Sequence, residues 1–134
     1  SPFTGNVNAI AWANGTWVAA GRTAISNKIV YSSDGAAWTE VTYSTFDTSD
    51  HIIYAITWGN GKWVAAGTRG ILGGQIAYSS DGTSWTAMDL EIVPSFSIYG
   101  IAYGGPAGSK RFVVAGGVPG LGTPARIWYS NVLE

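Results

Sequence analysis

Ala9-Ile10-Ala11-Trp12-Ala13-Asn14-Gly15-Thr16-Trp17-Val18-Ala19-Ala20-Gly21 returns 46 residues later as Ala55-Ile56-Thr57-Trp58-Gly59-Asn60-Gly61-Lys62-Trp63-Val64-Ala65-Ala66-Gly67. Self-similarity at such a period marks a fold built from repeated supersecondary units. In each copy two apolar runs flank Asn-Gly, the pair best suited to a type I′ turn, because that turn needs positive φ at both central residues. The two runs are therefore expected to be neighbouring antiparallel strands.

Working outward, Ile29-Val30-Tyr31-Ser32-Ser33-Asp34-Gly35-Ala36-Ala37-Trp38-Thr39 recurs as Ile76-Ala77-Tyr78-Ser79-Ser80-Asp81-Gly82-Thr83-Ser84-Trp85-Thr86, at a spacing of 47. A looser third copy runs through Gly100-Ile101-Ala102-Tyr103, Phe112-Val113-Val114-Ala115-Gly116 and Ile127-Trp128-Tyr129-Ser130, with longer connections at 105–111 and 118–125. Four short strands in roughly 46 residues is the arithmetic of a β-propeller blade. The expected units span about 6–46, 52–93 and 97–134, the last lacking a fourth strand. Ala9-Ile10-Ala11-Trp12 and Ala55-Ile56 with Trp58 are apolar on both faces, as befits a blade's inner strand covered on each side by a neighbour. A sandwich with a duplicated sequence is the competing reading, and no segment has a helical period.

The segments Ser32–Thr39 and Ser79–Thr86 resemble the Asp-box, or bacterial neuraminidase repeat, of sialidase-like propellers, with one residue fewer between Asp and Trp. The resemblance implies that Asp34 and Asp81 accept hydrogen bonds inside their own turns, beside Gly35 and Gly82, and that Trp38 and Trp85 pack between blades. It implies little about activity, because such repeats occur in sialidases, other glycosidases, lectins and proteins of no known activity.

Three blades cannot make a ring, since propellers run to about four to eight. Either a second copy completes a roughly six-bladed ring by self-association, or the chain is a segment of a longer propeller.

Composition narrows the function. The chain has 134 residues, 46% apolar and 11% charged, with formal charge −1, which fits one domain and gives no electrostatic footprint for nucleic acid or anionic lipid. No apolar run approaches the roughly 18–20 residues of a membrane helix, and no leader is evident. A soluble protein is expected, with a secreted or cell-surface destination left open. Zero cysteines remove disulfides and thiolate chemistry, and the lone histidine, His51, reads as a surface loop residue rather than part of a metal site. No cofactor is expected.

Candidate ligand residues are Trp12, Trp58 and Tyr103, whose rings could stack on a sugar, and Arg22, Arg69 and Arg126. Sialidases grip a carboxylate with arginines from several blades, so the resemblance gives that second set a possible role. No carboxylate falls on an expected inner strand; Glu40 lies on an outer strand and Glu91 at a strand end or loop, so no catalytic residue is assigned. Asp47 and Asp50 lack the ordered spacing of a calcium loop. Asn14-Gly15-Thr16 fits a glycosylation acceptor, but the turn already accounts for Asn14. The expected function is a non-enzymatic recognition or scaffold module that binds carbohydrate and associates with itself. The alternatives are a fragment of a sialidase-like or other glycoside hydrolase propeller and a purely structural propeller segment with no small-molecule ligand.

Overall fold

The computed structural model describes residues 1–42, 46, 48–89, 93–118 and 124–130. They form an all-β protein of three antiparallel sheets. The first holds β1 (Val7–Ala13), β2 (Thr16–Arg22), β3 (Asn27–Ser32) and β4 (Thr39–Glu40) in chain order. The second repeats it with β5 (His51–Gly59), β6 (Lys62–Arg69), β7 (Gly74–Ser79) and β8 (Thr86–Ala87), and the third contains β9 (Ser97–Gly104), β10 (Arg111–Gly117) and β11 (Arg126–Ser130). A 3₁₀ turn over Gly70–Leu72 joins β6 to β7. None of the described residues forms a helix long and apolar enough to cross a membrane.

The hairpins follow from their turns. Asn14 and Gly15 have φ of 50° and 72°, and Asn60 and Gly61 have 48° and 72°, the left-handed pair that a two-residue hairpin requires. The turns place Trp12 opposite Trp17 and Trp58 opposite Trp63. These rings contact at 5.2 and 5.3 Å between centroids, and Tyr103 with Phe112 repeats the contact at 4.7 Å.

The sheets stack in order. β5 packs against β1 and β2 on one side and against β9 on the other. Alternation along a strand then divides each sheet into two faces. Ile56, Trp58, Trp63, Ala65 and Trp85 of the second sheet enter one core with Val18, Ala20, Ile29 and Tyr31 of the first. Val64, Ala66, Ile76 and Tyr78 enter another with Ile101, Tyr103, Phe112 and Val114 of the third. The trailing face of the first sheet thus meets the leading face of the second, and the trailing face of the second meets the leading face of the third. The middle sheet is covered on both.

The first strands of the sheets correct one expectation. β5 is nowhere fully exposed, as a strand covered on both faces should be, whereas β1 leaves Ile10 56% and Trp12 51% exposed. The physical reason is position, because among the described residues no further sheet packs on that side of β1. His51 is also not a loop residue: it opens β5, half-buried, opposite Arg69.

Candidate functional site

The Asp turns are built almost identically. In the first, Asp34 Oδ1 accepts hydrogen bonds from the Ser32 hydroxyl at 2.9 Å and from the backbone N–H groups of Ala36 and Ala37 at 2.8 and 2.9 Å. The Ser32 hydroxyl oxygen accepts from the N–H groups of Asp34 and Gly35, and Trp38 Nε1 donates to Gly35 O at 3.1 Å. Ser79, Asp81, Gly82, Thr83, Ser84 and Trp85 reproduce every one of these bonds. Such turns satisfy backbone donors that the strand ladders leave unpaired.

These bonds favour the ionised carboxylate. The N–H groups of Ala37 and Ala36, followed by the Ser32 hydroxyl, hold Asp34 below its usual value of 3.8. The N–H groups of Ser84 and Thr83 lower Asp81 to about 2. Both side chains are therefore anionic staples with an acceptor oxygen committed to the turn. Trp85 is buried in the core between the first and second sheets, while Trp38, its counterpart, is half-buried on the leading face of the first sheet.

The candidate ligand residues fall into two groups at opposite ends of the strands. Trp12, Trp58 and Tyr103 stand at the end that carries the Asp turns. Arg22, Arg69 and Arg126 stand at the other, about 17 Å away along a strand such as Trp17 to Arg22. Trp58 and Tyr103 are half-buried in the two inter-sheet cores, which leaves Trp12 as the exposed ring of the three. The arginines also differ in setting. Arg22 follows Gly21 directly, whereas Arg69 is separated from Gly67 by Thr68, so the two leave their strands on opposite faces. Arg69 donates from Nε to Gly74 O at 2.9 Å and from a terminal nitrogen to Leu72 O at 3.0 Å, folding its own loop. Arg126 opens β11, exposed.

Glu40 is exposed on β4. Asp47 and Glu91 lie outside the described residues, among which no group of three or more His, Cys, Asp or Glu side chains comes together to hold a metal ion.

The faces of the three sheets are unequal. Val18, Ala20, Ile29 and Tyr31 correspond to Val64, Ala66, Ile76 and Tyr78, and both sets are packed against the next sheet. The third set is Val113, Ala115, Ile127 and Tyr129, and all four are exposed, Ile127 by 78% and Tyr129 by 50%. Even the flanking cation recurs: Lys62 lies 6.0 Å from the Tyr78 ring centroid and Arg111 lies 4.6 Å from that of Tyr129. At the other end of the stack Ile10, Trp12 and Trp38 occupy the positions of Ile56, Trp58 and Trp85. Ile10 and Trp38 help line a depression of about 300 Å³. The signal available in the sequence was the repeat itself: the first and last units of a stack must each expose a face that interior units bury. Compared with protein-family models, with curated proteins and with solved structures, the chain matches none.

Proposed function

We propose that the chain is a non-enzymatic recognition or scaffold module, three β-propeller blades long, which a second copy completes to a six-bladed ring. One observation carries the reading. The trailing face of the third sheet has the same residue pattern as the two trailing faces that are already packed, and the leading face of the first sheet has the pattern of their partners. Two copies related by a two-fold axis make two such leading-to-trailing contacts and leave no unpartnered face. Six blades lie inside the usual range for closure.

Ring closure and sugar stacking compete for Trp12. Trp58 and Tyr103, at the same position in the later sheets, serve packing, and a ring would give Trp12 the same surroundings. Trp12 is accordingly an assembly residue in this reading. The non-enzymatic assignment draws on Asp34 and Asp81, each with an oxygen engaged inside its own turn, and on the separation of the three arginines from the aromatic set.

Burying Ile127 contributes on the order of 1.5–3 kcal/mol per contact, and an aspartate there would instead place an unpaired charge against an apolar sheet. Ile127→Asp is expected to reduce the assembly to single chains in sedimentation velocity. Ile25→Asp, at a residue 85% exposed in the β2–β3 connection, should leave assembly unchanged. Equal behaviour of the two variants would sink the reading.

A further inference from the structure

The inner strands of all three sheets carry a bulge at the same place. The register slips between Val7 and Ala9, between Ile53 and Ala55, and between Ile98 and Gly100 where they face Gly116 and Ala115. Asn8, Tyr54 and Tyr99 are the residues left without a ladder partner. Bulges re-aim side chains and are common beside functional sites. Asn8 Nδ2 donates to Ile53 O of the second sheet at 3.1 Å. The rings of Tyr54 and Tyr99 meet at 5.0 Å between centroids, tilted by 53°. The bulge itself does not demand an aromatic ring, because Asn8 occupies it in the first sheet.

Tyr54 and Tyr99 line a cleft of about 640 Å³ between the second and third sheets, within the size range of small-molecule sites. Ile52, Ile71 and Val118 supply apolar wall, and Asp50 is the one charged lining residue among those described. Two of the hydroxyls beside it, those of Thr68 and Ser97, are engaged with their neighbours. The hydroxyls of Thr68 and Ser97 bond each other at 2.8 Å, and Thr68 Oγ1 also reaches the carbonyls of Gly70 and Gly73 at 3.2 Å each. The nearby Arg69 guanidinium is held by the carbonyls of Gly74 and Leu72. An anion would meet the Asp50 carboxylate and no lining cation among the described residues. What this wall offers is two tyrosine rings with their hydroxyls, the Ser95 hydroxyl, apolar surface and one carboxylate, a set suited to a cation with an apolar skin.

We propose that this cleft binds a quaternary or methylated ammonium group, with its charge toward Asp50 and its methyl groups against Tyr54 and Tyr99. The proposal rests on the recognition reading and not on ring closure, since every described lining residue belongs to one chain.

The test is a heteronuclear NMR titration of the full chain with tetramethylammonium chloride, its uncharged isostere tert-butanol, and methyl glucoside, with sodium chloride as the ionic-strength control. Tetramethylammonium is expected to give saturable shifts centred on Tyr54 and Tyr99, and tert-butanol to bind at least about fivefold more weakly. Asp50→Asn and Tyr99→Leu should each weaken binding about threefold or more, while Tyr99→Phe preserves it. Asp50 is exposed and Tyr99 is 46% exposed, so an unchanged melting temperature verifies that these variants fold. Equal binding of tert-butanol, or shifts that fail to saturate or lie elsewhere, would overturn the proposal. Binding of methyl glucoside alone would overturn the ammonium assignment while leaving a recognition role in place, and binding of none of the three would remove the cleft from that role as well.

Discussion

Asp81 shows how one side chain can hold a turn and tie it to pH. Its folded pKa of about 2 lies below the ordinary 3.8 because the N–H groups of Ser84 and Thr83 stabilise the carboxylate. A depressed folded pKa stabilises the fold above the unfolded value, and that contribution disappears as pH falls through the folded value. The melting temperature of the protein is therefore expected to drop between about pH 4 and pH 2, and to drop less in Asp81→Asn, as read by circular dichroism. The variant should already be less stable at neutral pH, because an amide accepts the two backbone N–H bonds more weakly than a carboxylate. An unaltered pH profile in Asp81→Asn would show that the turn's charge does not contribute to stability. This staple was expected from the resemblance of Ser79–Thr86 to the Asp-box, and its bonds run only from Ser79 to Ser84, with no help from distant parts of the chain.

At the scale of the element, hairpins were legible and bulges were not. Asn-Gly dictates a two-residue turn locally, and both turns form with positive φ at both residues. A bulge adds a residue without changing composition, so the alternation of apolar residues does not reveal it. Its trace lies on the partner strand, at the glycine that ends Val-Ala-Ala-Gly and its looser third copy. A methyl group at Gly67 would overlap the carbonyl of Ile52, and one at Gly116 would overlap that of Ser97. At Gly21 it would come within 2.6 Å of Asn6 O. The bulged strand therefore approaches so closely that only glycine fits opposite it. Gly67→Ala is expected to cost about 1–3 kcal/mol in urea denaturation, as overpacking does. Gly104→Ala, where a Cβ meets nothing within 4 Å, should change stability by less than about 0.5 kcal/mol. Similar losses at both sites would mean that the close approach is not what requires glycine.

For the whole molecule, repetition specified three similar sheets but not which faces would be covered. Ile-x-Tyr is buried or half-buried at Ile29 and Tyr31 and at Ile76 and Tyr78, yet exposed at Ile127 and Tyr129, because burial belongs to the neighbouring sheet and not to the residues themselves. The same dependence separates the candidate site residues, with Trp58 and Tyr103 in cores and Trp12 in the open. Exposed aromatic and branched side chains at both ends of a stack cost solubility unless something covers them, and a second copy carries the matching pattern on both faces. Two-copy closure is tested most directly by the molar mass from light scattering over a dilution series. A closed ring has a mass of twice 14.0 kDa that persists on dilution, whereas a chain that remains at 14.0 kDa at every concentration would rule out the two-copy ring.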